Sequence, residues 1–238
     1  MSQSDQSALG IIVARKGSKS LPGKNLKSMM GKPLLQWTAE QAQRSSLVGR
    51  LVISSDDPDV LELGRLLGIE VLDRPSELAK DETSTSAVIT HVLDELNIRN
   101  HEYQALVLLE PTSPLRPIGF IDQCLTEFWL HPNQKSAVSI SRIEGQHPDF
   151  SMALSDNGII SPSTGETLQH KRRQDVERIY FLEGSFYATT LSNFRESSAI
   201  YGADTLGIIV EKWQSFEVDD IDDFIIVEAL MKAHFDEL

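Results

Sequence analysis

Apolar positions along the chain fall into short β-branched runs separated by stretches of helical periodicity. Leu9-Gly-Ile-Ile-Val-Ala14 is continuously apolar, the pattern of a strand covered on both faces, and a polar stretch bearing glycine and proline, residues 15–32, follows at once. Pro33 opens a helical pattern with apolar or small residues at Leu34, Leu35, Trp37, Thr38 and Ala42, after which residues 50–55 read as a second strand. Helices over 59–67, 85–96 and 118–131 then alternate with strands over 70–72 and 105–110. This predicts an α/β fold: a doubly wound, mostly parallel sheet with helices on both faces and ligands at the strand carboxyl ends.

From Ser136 the texture changes. Residues 137–143, 150–154 and 179–189 read as strands, Asn157-Gly158 as turn punctuation, and no helical pattern long enough separates them. The expectation is an antiparallel β insertion over about 136–200 within one domain spanning 1–238. Residues 205–210 then read as a return strand and 223–235 as a closing amphipathic helix. Residues 1–7 read as a frayed polar leader.

Composition narrows the function classes. At 238 residues the chain is long enough to bury a core without staples, and 40% apolar content excludes disorder, collagen and disulfide scaffolds. A net charge of −13 disfavours nucleic acid and anionic membranes as partners, which makes any local basic cluster informative. Cys124 is the only cysteine, no charged-then-apolar leader precedes Leu9, and the first apolar run is far too short to span a bilayer; the expected compartment is the cytoplasm. The histidines show no metal-ligand spacing, and no G-x-S-x-G or comparable signature supports a nucleophile.

The basic cluster follows the first strand. Ala14-Arg15-Lys16-Gly17-Ser18-Lys19-Ser20-Leu21-Pro22-Gly23-Lys24-Asn25 packs cations, glycines and hydroxyls into one loop of an acidic chain. Glycines let backbone N–H groups approach an anion, and Arg and Lys add charge-assisted bonds to phosphate oxygens. The loop is neither a Walker A sequence nor G-x-G-x-x-G, and a solvated lysine-rich turn would give the same composition. Farther along, Glu217-Val218-Asp219-Asp220-Ile221-Asp222-Asp223 offers carboxylates at i and i+2, which on an extended chain project from one face and suit a hard cation; acids at a helix N-terminus give the same pattern. Arg172 and Arg173 beside Lys171 form a second basic site, suited to bidentate binding of a carboxylate.

Ala14-Arg15-x-Gly17-Ser18-Lys19 with Lys24-Asn25 resembles the signature of the acylneuraminate cytidylyltransferases, the CMP-sialic acid synthetases. Ser55-Asp56-Asp57, Arg74-Pro75-x-x-Leu78-Ala79-x-Asp81, Leu109-x-Pro111-Thr112-Ser113-Pro114-Leu115-Arg116 and Arg172-Arg173-Gln174-Asp175 resemble further blocks of that family, in order. Leu21-Pro22-Gly23-Lys24 is similar to the related 3-deoxy-manno-octulosonate cytidylyltransferases, a branch that lacks the Pro-Thr-Ser-Pro-Leu-Arg and Arg-Arg-Gln blocks.

The resemblance implies a Rossmann-like nucleotide-sugar transferase fold, Mg²⁺ dependence, a homodimer built through the insertion, and the reaction CTP + acidic keto-sugar → CMP-sugar + pyrophosphate. It implies that Arg15 and Lys24 hold the triphosphate, with Ala14, Gly17, Ser18, Lys19 and Asn25 around the nucleotide and Arg74 and Ser84 near nucleoside or phosphate. An ion pair with Glu77 is the alternative use of Arg74. On the family's spacing Glu217 and Asp219 are the metal ligands, and the register Asp220 with Asp222 is the alternative; Asp219 joins Arg15 and Lys24 as the catalytic set. Glu110, Arg173, Gln174, Glu183 and Tyr187 fall at the sugar. Three of these depart from the family: Glu217 replaces Asp, Glu110 replaces Gln, and Glu183 replaces the Asn of Tyr-x-x-Asn-Gly-x-x-Tyr. The alternatives to a sialic-acid-like sugar are a shorter octulosonate-type sugar acid and a non-catalytic nucleotide-sugar-binding homologue.

Overall fold

The computed structural model describes residues 7–99, 102–163 and 172–235, without the side chain of Arg173. The first apolar run forms β1 (Ala8–Val13). Its side chains alternate between two apolar layers, Ala8 and Ile12 on one face, Leu9 and Ile11 on the other. The chain continues through the small hairpin β2 (Ser28–Met29) and β3 (Lys32–Pro33) into α1 (Leu34–Gln43), β4 (Val48–Ser55), α2 (Pro58–Leu66), β5 (Glu70–Asp73), α3 (Thr85–Glu95), β6 (Ala105–Leu109) and α4 (Phe120–Leu130). Leu35, Ala39, Val60, Ile121 and Phe128 bring α1, α2 and α4 onto the first layer, while Ile89, Val92 and Leu93 bring α3 onto the second. The expected two-sided α/β sheet is therefore present.

β1 pairs in parallel with β4 on one side and β6 on the other, and β5 pairs in parallel with β4. The chain moves outwards from β1 to β5, then returns to set β6 on the opposite side of β1. Such a reversal opens a crevice beyond the carboxyl ends of the two strands.

The later chain forms β7 (Ser136–Arg142), the hairpin β8 (Met152–Leu154) and β9 (Ile160–Pro162), β10 (Tyr180–Thr190), α5 (Leu191–Ser197), β11 (Thr205–Ile209) and α6 (Ile221–His234). The main sheet has the order β11-β7-β10-β6-β1-β4-β5, with β10 antiparallel to both β6 and β7 and β11 parallel to β7. Of the segment expected as an insertion, β7 and β10 lie in this sheet, and among its described strands β8 and β9 stand apart from it as a separate hairpin. The antiparallel strand is long enough to do both jobs: Tyr187 to Thr190 pair with β6 and the first residues reach only β7.

α5 went unread in the sequence because at 7 residues it is too short for a periodic signal; Thr190 caps it by accepting from the Asn193 backbone N–H. α6 is also less amphipathic than its pattern suggested, since Ile221, Ile225 and Ile226 lie on its solvent side. Its inner residues Phe224, Val227 and Met231 join Leu21, Leu115 and Val218 in a third cluster. That cluster pins the loop after β1 against the stretch before α6. Among the described residues no helix is long and apolar enough to cross a membrane.

Candidate active site

The loop after β1 sits at the mouth of the crevice. Ala14 is buried and its N–H donates to Ser54 O (3.1 Å), extending the β1–β4 pairing by one residue, while the Lys16 N–H donates to Asp56 Oδ1 (2.9 Å). Asn25 Nδ2 donates to Arg15 O (3.2 Å), closing the loop on itself. Lys24 lies in a short 3-10 turn after Gly23, whose φ of 69° is the left-handed conformation that glycine allows at little cost. Lys24 Nζ donates to Val218 O at 2.8 Å and meets Asp219 Oδ1 at 3.2 Å. Ser20 Oγ donates to Asp219 O (2.7 Å). The cationic loop and the acidic segment, about 200 residues apart in sequence, are thus laced together, with Leu21 and Val218 buried behind them.

Two cavities adjoin at Glu110, the residue that follows β6. One, of about 360 Å³, is lined by Arg15, Lys19, Lys24, Glu110, Glu217 and Asp219, with Gly17, Ser18 and Asn25 on its wall. The other, of about 390 Å³, is lined by Glu110, Tyr187, Tyr201, Thr85 and Ser86. Tyr187 and Tyr201 stack with ring centroids 6.0 Å apart. The first cavity is suited to a polyanion, and the second offers hydroxyls, aromatic faces and a carboxylate.

Burial and mutual repulsion set the charges at this junction. The Glu217 carboxyl is pushed up to about 7, first by burial and then by Glu110, Asp219 and Glu183, with Lys24 opposing. Burial raises Glu110 as well, against the pull of Arg116. Burial and then Glu110 push the Tyr187 phenol up. Gly184 (φ 86°) makes the crowding feasible: a Cβ there would lie 2.9 Å from Glu217 Oε2 and 2.6 Å from Ser113 Oγ.

Glu183 departs from expectation. It is fully buried, with Oε2 accepting from Ser185 Oγ (2.6 Å) and Oε1 from the Ser185 N–H (3.3 Å), and it lines neither cavity. The pairing of β10 with β7 slips between Leu182 and Tyr187, so strand alternation does not carry from one to the other and Glu183 turns inward. The arginine facing it is Arg116, 1% exposed, which donates to Ser185 O (2.7 Å), Thr38 Oγ1 (2.9 Å) and Glu110 O (3.0 Å). Burial lowers Arg116 to about 10 even with Glu183 and Glu110 nearby. Arg116 thereby holds the backbone of Glu110 against β10, a positioning role that its place at the end of the Pro-Thr-Ser-Pro-Leu-Arg block signalled only as part of a motif.

Other expected residues take identifiable places. Arg74 is buried and donates to Ser54 O (2.9 Å), bracing the end of β4 rather than pairing with Glu77. Ser84 caps α3, accepting from the Ala87 N–H (3.2 Å), which aims the following Thr85 and Ser86 at the second cavity. Asp220 caps α6 with bonds from the N–H groups of Asp222 (2.9 Å) and Asp223 (3.0 Å), so one carboxylate of the alternative metal register is engaged at the helix terminus. Arg172 pairs with Asp175 (2.7 Å), and Gln174 is exposed in the same short turn. The side chain of Arg173, and Lys171, lie outside the described residues. Sequence reasoning missed Tyr201, which follows an irregular stretch with no motif, and gave no role to Asp81, which holds both Arg15 and Lys19.

Comparison with known proteins adds a lineage. The cytidylyltransferase family profile matches residues 9–147, more than half of the chain. An N-acylneuraminate cytidylyltransferase of Streptococcus agalactiae serotype V is 30% identical over 91% of this chain and 51% of its own length. This chain thus spans about half the length of such relatives. A pseudaminic acid cytidylyltransferase of Campylobacter jejuni is 27% identical, covering 95% of this chain and 97% of its own. The CMP-N,N'-diacetyllegionaminic acid synthase of Legionella pneumophila is 28% identical, covering 97% and 98%. A CMP:2-keto-3-deoxy-manno-octonic acid synthetase solved in complex with CTP shares the fold, with a TM-score of 0.69 at 19% identity over 95% of this chain and 99% of that one.

Proposed function

Because the chain belongs to the cytidylyltransferase family, we propose that it transfers the cytidylyl group of CTP to an acidic nonulosonic sugar, releasing pyrophosphate. The observation that carries this reading is the junction at Glu110, where a cation-lined cavity at the topological switch point meets a hydroxyl- and tyrosine-lined one. In the reaction the anomeric hydroxyl oxygen of the sugar bonds to the α-phosphorus of CTP, the α–β bridging P–O bond breaks with its electrons leaving on pyrophosphate, and the hydroxyl proton is released. Negative charge builds on the phosphoryl and leaving oxygens, so preorganised cations lower the barrier. Arg15, Lys19 and Lys24 supply them, and Lys24, held at Val218 and Asp219, faces the acidic side of the site.

Mg²⁺ fits the residues present. Glu217 and Asp219 both line the first cavity, and a Mg²⁺ site of one or two carboxylates completed by substrate phosphates and water needs no larger protein cage; among the described residues no group of three or more ligands is gathered. When bound there, the ion would neutralise charge developing on the phosphates. Arg173 and Gln174 are proposed to meet the sugar carboxylate, as the resemblance implies. The proposed compartment is the cytoplasm. A homodimer is proposed through the β8–β9 hairpin, where Met152, Leu154, Ile159 and Ile160 are exposed, as are Tyr180, Phe181 and Leu182 at the start of β10.

Pyrophosphate release with CTP, Mg²⁺ and a panel of acidic sugars tests the reading. Turnover on nonulosonic sugars is expected, with Lys24→Ala reduced at least ~100-fold. Turnover on octulosonate alone assigns the shorter sugar, and CTP binding without turnover on any sugar assigns a non-catalytic homologue.

A further inference from the structure

The three cations that line the first cavity are all engaged by carboxylates of the chain itself. Lys24 meets Asp219, whereas Arg15 and Lys19 converge on one residue, Asp81, Arg15 on Oδ1 and Lys19 on Oδ2. Asp81 belongs to the segment between β5 and α3, beyond the 3-10 turn Ser76–Leu78, and is exposed. Its two oxygens present to Arg15 and Lys19 what two oxygens of a phosphate would present, and Lys19 and then Arg15 hold its carboxyl below the usual range. A phosphate that takes the same N–H donors of Arg15 and Lys19 must displace the carboxylate from them.

We propose that Asp81 is an internal counter-anion that trades places with the polyphosphate: it releases Arg15 and Lys19 when the nucleotide enters and recaptures them as pyrophosphate leaves. The inference rests on the reading that this cavity takes the triphosphate of CTP. The exchange does two things. It holds the two cations in position between turnovers, limiting the side-chain entropy lost on binding. It also opposes retention of pyrophosphate, whose charge would otherwise make it a slow-leaving product. The exchange stays reversible because pairs between exposed groups are individually weak; a buried pair would not yield to substrate. The same segment leads within a few residues to Thr85 and Ser86, which line the second cavity.

Calorimetric titration of CTP and of inorganic pyrophosphate into wild type, Asp81→Asn and Asp81→Glu tests this. Asp81→Asn is expected to bind both ligands roughly tenfold tighter at low ionic strength, with the gain shrinking as salt screens the pairs, while Asp81→Glu stays close to wild type. Steady-state inhibition by pyrophosphate should strengthen in Asp81→Asn by a similar factor. Unchanged affinity for pyrophosphate in Asp81→Asn overturns the exchange, and weaker affinity overturns it by showing that Asp81 supports the ligand directly. Wild type that binds pyrophosphate and not CTP would remove the cytidylyltransfer reading while pyrophosphate alone still decides the exchange.

Discussion

At the scale of single residues, what decides a side chain's role is what it touches, and Glu217 and Glu183 diverge on that ground. Glu217 lines the cavity, and its carboxyl rises from an ordinary 4.5 to about 7. The folded protein therefore keeps a proton there that the unfolded chain gives up at lower pH. This group's contribution to stability is complete below about pH 4.5, falls as the pH rises, and is lost above about 7. Glu217→Gln should flatten that dependence and raise the melting midpoint at pH 8 by roughly 2–4 °C, with little change at pH 5, as thermal unfolding across pH can read. A midpoint that does not rise at pH 8 would show that the carboxyl is not strained by burial. Glu183, by contrast, was legible only as a departure from a motif. The expectation that it meets the sugar rested on its place in that motif, whereas its partners in the structure, Ser185 and Arg116, come from a slip in strand pairing and from a loop 67 residues earlier. Of the three departures from the family pattern, Glu110 and Glu217 face the cavities and Glu183 serves the interior.

At the scale of elements, patterns set by local periodicity were readable and those set by exceptions to it were not. The main-sheet strands and the α-helices up to residue 131 lie within a few residues of their predicted bounds, because a buried parallel strand and its covering helices each leave an apolar period, whereas the two-residue strands β2 and β3 in the loop after β1 leave none. β10 is different. Gly184 lies within its irregularity between Leu182 and Tyr187, and a Cβ added there would come within 3.4 Å of Ser113, Glu217 and Glu110. Gly184→Ala would demand a left-handed φ from an L-residue and place a methyl group on top of Ser113 Oγ and Glu217 Oε2. The expected cost is about 1–3 kcal/mol in denaturant unfolding, with kcat falling more than CTP affinity, because the distortion acts at Glu110 and Glu217 and not at Arg15. A variant with wild-type stability and kcat would mean that this stretch of β10 relaxes freely and does not shape the junction.

At the scale of the whole molecule, the sheet holds the cation loop and the acidic segment at one crevice, and the β8–β9 hairpin forms a separate two-stranded sheet. The mostly parallel, two-sided sheet could be read from the sequence, but the continuity of β7 and β10 with it could not, because pairing between distant strands leaves no local signal. The same limit bears on the hairpin, where Leu154 is 72% exposed and Ile160 57%, although a three-residue strand of such composition gains nothing from facing water. If a second copy covers it, Leu154→Glu with Ile160→Glu should convert a dimer to monomers in sedimentation velocity, since buried carboxylates without partners oppose association. Arg172 and Gln174 lie between β9 and β10 in the chain, so the proposed interface and the proposed sugar contacts belong to neighbouring segments. Loss of the dimer should then raise KM for the sugar while leaving CTP affinity intact, because the cavity of Arg15, Lys19 and Lys24 is lined by no residue of the hairpin. A monomeric wild type would remove the interface, and a monomeric variant with an unchanged sugar KM would keep the interface but separate it from the site.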